Sequence, residues 1–548
     1  MKTIFLCLFG LLSLTLFSQN VPVKTQKSIL FEDDYKKSIL VLGEKTLENE
    51  IVIVRSYKAS AISPLNGYYI EKYDANLKLI KEFELKMKHP LSEKNNLVLG
   101  VFYANKKVNI IEIYFDLKGK TYICRANIVD DNFNLTKKEL FRISKEKMKE
   151  LGSFNLQQKF FEAANKNLPD VNSGNFNTST DRVLTFAFFG NSTKPRVYNS
   201  DISLVVNENR TAYSIVLDYK NPEQEGFLLY LFDAESDQIF FKEELIQSKE
   251  KNYVLQNFQV SEDGKSVYIL AKNYNNKVKK LKYSFELSQI SATETKIKTI
   301  EIEDKFIKSL KLNFHNNSIY CIGFYSEKSY EDNDGLSFFK FNKQNLESEK
   351  VKFSPFTKQF IEDKFGKETD KDIKDLKIKT VLFENDDILL NAEEEFEVNN
   401  SSTIPTNNSV TGNTNYHFND IVSVKLNTDG ELIWSRNINK KQSYTYSDDS
   451  YISYFSTIKN GISYFFINAS EKIKELKNER VEFKDVNPNK ANLYLLTIDS
   501  TSNFSYQLLL DDESSEVTYI VSKGIFINDS CYFLGRKGKK KQLLKVTL

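Results

Sequence analysis

Tryptophan occurs once in this chain, methionine and histidine three times each, cysteine four times and proline nine times. Each scarcity excludes something. The four cysteines stand at 7, 124, 321 and 531, with no CxxC and no Cys/His pairing. That rules out a zinc ribbon and argues against a disulfide framework. Cys124, Cys321 and Cys531 each lie in a strand-like run, so buried free thiols are expected, with one bridge and a leftover thiol as the alternative. His89, His315 and His417 are isolated, and no HExxH, GxSxG, Walker loop or GxGxxG after a strand appears, which disfavours metalloprotease, serine hydrolase and nucleotide chemistry. No catalytic residue, metal site or cofactor is read from the sequence. Charge of either sign is also missing in excess: 76 basic residues oppose 74 acidic ones. A non-specific nucleic-acid binder needs a visible basic surplus. The one basic cluster, RKGKKK at 536–541, reads as a solvated hairpin turn, with a patch for anionic polymer or lipid as the sharper reading.

Long apolar runs are absent after the first. Lys2 followed by the fourteen-residue run 4–17 reads as a signal peptide cleaved after Ser18. Cys7 falls inside that run, where no lipid anchor would sit. The expectation is a signal peptide at 1–18 and a single exported domain at 19–548, without a membrane span. It would be periplasmic or associated with the outer membrane, or extracellular, and monomeric.

What is abundant is aromatic residues, 42 Phe and 29 Tyr, which suit half-buried pleated surfaces. They recur. Strands of the form SVYILA place Tyr213, Tyr268, Tyr320, Tyr464 and Tyr532 in register, with Leu389 taking the position in the gap. Each is followed by a strand, a polar turn rich in Asp or Asn, and another strand; Asp429-Gly430 is the strongest of these turns. The unit has about four strands and roughly 45–75 residues, the size of a propeller blade. Units fall at 51–86, 97–144, 202–247, 255–303, 307–353, 378–440, 452–510 and a remnant at 518–548. The chain is therefore expected to be all-β, a β-propeller of eight blades (seven as the alternative) closed by N- and C-terminal strands. SILVLG at 38–43 is the candidate closing strand. The aligned tyrosines are expected to pack between blades, and so is Trp434, for which sugar stacking is the rival. Helical spacing marks insertions at about 144–168 and 356–376, and 399–415 reads as a mobile polar loop.

The stretch 419–442, NDIVSVKLNTDGELIWSRNINKKQ, resembles a signature of secreted, propeller-like proteins of Flavobacterium-type Bacteroidetes, a domain group of unknown function. The matching residues are Asn419, Asp420, Asp429, Gly430, Trp434, Lys440, Lys441 and Gln442. The resemblance covers about 354–470. It implies an exported propeller and no activity.

The best carboxylate cluster is Glu393–Glu395. On a strand, Glu393 and Glu395 share one face, a carboxylate pair of the kind glycosidases use; the plainer reading is a charged edge strand. His417 and Asp420 join this cluster if the intervening loop folds back. These four residues are the binding candidates. The leading functional expectation is a non-enzymatic exported propeller that binds a protein or glycan partner at the cell envelope. The alternative is a periplasmic or extracellular polysaccharide hydrolase or lyase.

Overall fold

The computed structural model describes residues 21–59, 65–151, 201–220, 225–247, 251–275, 282–329, 332–403, 410–444, 449–485, 487 and 490–548. Eight antiparallel sheets follow one another along the chain. Blades 1 to 5 occupy 37–86, 93–143, 201–247, 251–300 and 306–355, blade 6 376–444, blade 7 454–510, and blade 8 begins at 518. The innermost strand of each blade touches that of the next, and blade 8 touches blade 1, so the ring is closed. The eight-bladed propeller read from the repeats is the fold.

The closing strand differs from expectation. Residues 38–43 belong to Lys37–Lys45, the innermost strand of blade 1. Blade 8 is completed by Lys24–Lys27, which pairs antiparallel with Lys540–Thr547 as its outermost strand. KTQK is polar and mostly exposed, so no apolar alternation marks it. The basic hairpin after it is also only partly solvated. Gly538 turns it in the left-handed region, φ 62°, but Arg536 and Lys541 are buried.

The aligned tyrosines are all buried, as is Leu389. Tyr268 meets Phe314 and Tyr320 meets Phe383, each on the following blade's innermost strand. Tyr464 and Tyr532 likewise pack into the clusters shared with the next blade. Tyr213 faces the other way, against Phe102 of blade 2 at 5.1 Å between centroids; Ala212 takes the forward-facing place in blade 3. Trp434 is buried between blades 6 and 7. The three cysteines are free and buried.

A second repeated device lies four residues beyond the tyrosine position. There Lys272, Glu393, Asn468 and Arg536 are buried polar groups, and each reaches the blade that follows. Lys272 Nζ donates to the Ile307 and Lys308 carbonyls, Ser453 Oγ donates to Glu393, Asn468 Nδ2 donates to the Tyr519 carbonyl, and Arg536 donates to the Ser38 carbonyl. Blade faces bury apolar area without direction; these bonds fix how one blade sits on the next. Asn468→Leu strands the Tyr519 carbonyl and, at 3.3 Å, the Tyr451 carbonyl. A loss of about 1–3 kcal/mol is expected from such orphaned groups, read as a lower urea midpoint at unchanged slope.

The two rims differ. Connections from the first to the second strand are tight. In five blades they are two-residue turns opening on Asn105, Asn316, Asn385, Asn460 and Asn528, all at positive φ, the conformation that two-residue hairpins require and Asn tolerates. The opposite rim carries the second-to-third-strand connections and the links between blades. Long connections leave from that rim after Ile143, Pro355 and Ala469, and the extended blade 6 hairpin projects from it. The first helical insertion forms a helix over Lys145–Glu150, and 152–200 lies outside the described residues. The second is helical only over Lys358–Phe365, capped by Thr357 and ended by Gly366 at φ 75°. The expected polar loop is instead the tip of a hairpin: Asp387–Thr403 pairs with Val410–Asn427, with Asn399↔Thr414 and Thr403↔Val410 in register. Its Asn/Ser/Thr composition hid the strands; 404–409 lies outside the described residues.

Candidate functional site

Blade 6 gathers the sequence candidates. The hairpin folds back, so His417 lies directly across from Phe396, and Phe418 across from Glu395. A bulge at Glu394 separates its two neighbours in the ladder. Glu393 and Glu395 nonetheless meet the same cation: Lys379 Nζ is 3.3 Å from Glu393 and also bonds Glu395. Glu394 turns to the other side and meets Lys364 at 3.5 Å.

Each carboxylate is matched. Glu393 is fully buried, 2.7 Å from the equally buried Lys440 and 2.6 Å from Ser453 Oγ. Burial raises its carboxyl, but Lys440 and Lys379 outweigh that and hold it below the usual carboxylate range. Glu395 also pairs with Lys377 at 3.4 Å. Burial pushes Glu394 up, with Lys364 opposing. Asp420 accepts from Lys364 Nζ at 2.8 Å, Asn437 Nδ2 at 3.1 Å and the Lys440 amide at 3.2 Å. His417 stacks on Phe396, 4.7 Å between centroids and 13° between planes.

These contacts give residues of the stretch around Asp420 structural roles. Asp420 anchors the helix Lys358–Phe365 through Lys364. Lys440 compensates Glu393. The Gln442 side chain bonds the Asn468 carbonyl at 2.7 Å and the Ser453 amide at 2.7 Å. Arg436 holds Asp363 of the same helix at 2.5 Å. Val481–Lys484, from the blade 7 connection, then adds in parallel to the outer edge of blade 6.

A cavity of about 550 Å³ opens on the long-connection rim beside this network. Lys377, Lys379 and Thr380 from the start of blade 6 form one side. The extended hairpin forms another with Glu395, Tyr416, His417 and Phe418, and Tyr444 stands beside them. Ser453 and Tyr454 of blade 7 and Lys523 of blade 8 close it. Tyr416 and Tyr444 are a cross-strand pair stacked at 5.0 Å and 18°, and Phe418 lies 6.0 Å from Tyr444. Tyr454 is buried, and its hydroxyl has no hydrogen-bond partner among the described residues. Of the sequence candidates, Glu395 and His417 line this cavity, whereas Glu393 lies behind it and Asp420 faces the helix. Lys364, Lys377, Lys379, Lys523 and the three tyrosines were not singled out from the sequence. Their one signal was the alternation of aromatic residues in YHF at 416–418 and QSY at 442–444.

A second cavity, about 610 Å³, lies between the helix and the outer strands of blades 6 and 7. Its two arginines are engaged: Arg436 with Asp363 and the Ser502 carbonyl, Arg480 with the Asp363 and Lys364 carbonyls at 3.1 and 3.0 Å.

No family model matches the sequence, and no curated protein matches it. Solved structures with a similar course of chain include prolyl oligopeptidase B from Galerina marginata, 9% identical, with 91% of this chain and 56% of that one covered and a TM-score of 0.35. Polysaccharide lyase Uly1 is 9% identical, with 96% and 99% covered and a TM-score of 0.34. An oligogalacturonate lyase in complex with manganese is 8% identical, with 94% and 98% covered and a TM-score of 0.32. The chain spans 46% of the length of a prolyl endopeptidase that it also matches. No residue role is carried over from any of them.

Proposed function

We propose that this protein is an exported binding scaffold that holds a protein or glycan partner at the cell envelope, through the rim of long connections, without turning it over. The observation that supports this reading is the pairing of Glu393, Glu394, Glu395 and Asp420 with lysines at ion-pair distance. General acid–base work on a glycosidic bond needs one carboxyl kept protonated and a second left accessible. Glu393 meets neither requirement: it is fully buried and held ionised. What the cavity offers instead is half-buried aromatic surface with polar groups around it, the make-up of a recognition site. The export part of the proposal rests on the leader-like N-terminus.

The test is capture from envelope fractions with the full exported chain as bait. A specific partner is expected with the wild type. Its recovery should fall sharply with Tyr416→Ala/Tyr444→Ala on the long-connection rim and remain with Asn209→Ala on the opposite one. Equal recovery with both variants would move the working surface elsewhere, and turnover of an envelope polymer by the wild type would replace a binder with an enzyme.

A further inference from the structure

Resting on the reading of this rim as a binding surface, we infer that the cavity between blades 6, 7 and 8 takes a neutral saccharide, seated on the Tyr416–Tyr444–Phe418 platform with a hydroxyl directed at Tyr454. Four features point to this chemistry. First, three aromatic side chains stand together on this wall, with Lys379 Nζ 5.5 Å over the Phe418 ring. Tyr416 and Tyr444 stack on each other, Phe418 extends the surface, and all three rings are half-buried. Aromatic faces that remain partly solvated match the C–H faces of a pyranose ring.

Second, Lys377, Lys379 and Glu395 beside the platform are spent on each other, while Glu397, across from Tyr416, is exposed. Lys379 lies between Glu393 and Glu395, and Lys377 pairs with Glu395. Such pairs supply fixed donors and acceptors with little net field. An acidic or basic ligand would have to break them or leave its own charge unmatched, which is costly in a partly desolvated cleft. A neutral polyol faces neither cost. Third, the Tyr454 hydroxyl is a buried polar group without a partner among the described residues. Buried hydroxyls are ordinarily satisfied, and a ligand hydroxyl would satisfy this one. Fourth, about 550 Å³ falls within the ordinary range of small-ligand sites, roughly 300–1,000 Å³.

The test is calorimetric titration of the full exported chain with maltohexaose, cellohexaose and mannohexaose, beside hexagalacturonate as the acidic counterpart. Binding of at least one neutral hexasaccharide is expected, nearly independent of salt, with the uronate much weaker. Tyr416→Ala/Tyr444→Ala should weaken it by at least about tenfold, from the loss of the stacked aromatic pair. Tyr454→Phe, which removes one atom, should weaken it by about three- to tenfold, one hydrogen bond's worth, without lowering the urea midpoint. The midpoint of each variant separates lost binding from lost folding. Binding confined to the uronate and falling steeply with salt would overturn the ligand class. So would the absence of saccharide binding while a protein is still captured through the same rim; in that case the binding-scaffold reading survives. Saccharide binding untouched by all three substitutions would overturn the site.

Discussion

Lys440→Met should lower the stability of the ring by about 3 kcal/mol or more, the penalty for leaving a buried carboxylate without its principal partner. Lys440 Nζ lies 2.7 Å from Glu393, also donates to the Phe418 carbonyl at 2.6 Å, and is fully buried. Lys379 remains at 3.3 Å, which keeps the loss toward the lower end of the range for broken buried pairs, about 3–5 kcal/mol. The double variant Glu393→Leu/Lys440→Met should regain much of it, since replacing both partners by apolar groups removes the unmatched charge. Urea unfolding of the two variants decides this. A single variant no weaker than the double one would show that the pair contributes nothing to the fold.

The same pair sets an acid limb. Glu393 is ionised in the folded protein below the pH at which an ordinary glutamate protonates. Below the unfolded value of 4.5 the unfolded chain binds the proton first. The contribution is therefore fully present above that pH and is lost as pH falls through the lower folded value. Glu393→Gln should flatten this part of the stability profile.

Arg55→Met should be at least as damaging, about 3–5 kcal/mol by the same argument. Arg55 is buried on the second strand of blade 1. It bonds Glu71 through two nitrogens, at 3.0 and 2.5 Å, and Asp33 at 2.8 Å. Its guanidinium also lies over Tyr69 at 4.6 Å. Asp33 follows the closing strand and is held as well by Lys541 of blade 8 at 3.3 Å. This ionic cluster therefore ties blade 1, blade 8 and the N-terminal segment together. Besides a lower urea midpoint, Arg55→Met should speed amide exchange in Lys24–Lys27 relative to the blade 4 strands. Uniform exchange across both regions would show that Arg55 stabilises blade 1 without locking the closure.

The parts of the fold that repeat were legible, because Tyr268, Tyr320, Tyr464 and Tyr532 do the same work against each following blade. Tyr213 stands one residue out of step with the others, and Ala212, which takes the forward-facing place, carries no visible signal. The closing strand was unreadable for a physical reason: Lys24–Lys27 contributes backbone hydrogen bonds, and its side chains face solvent. Extended strands within 399–415 were hidden in the same way by polar composition. The site was legible as a neighbourhood. Glu393–Glu395, His417 and Asp420 do converge on blade 6, but their roles depend on Lys364, Lys377, Lys379 and Lys440. Those lysines come from three places in the chain and are ordinary in a sequence with 76 basic residues. Partner choice among them is set by tertiary packing, in particular by the bulge that places Lys379 out of register between Ile378 and Thr380.

On the proposed function, this rim binds a saccharide without cleaving it. The test is to incubate the full chain, at stoichiometric concentration, with each neutral hexasaccharide and the hexagalacturonate, and to follow oligosaccharide length by chromatography. Intact oligosaccharides after prolonged incubation are the predicted result, for the wild type and for Glu395→Gln alike. Shortened products from the wild type that disappear with Glu395→Gln would contradict it, and would make the lysine-bound carboxylate a catalytic group.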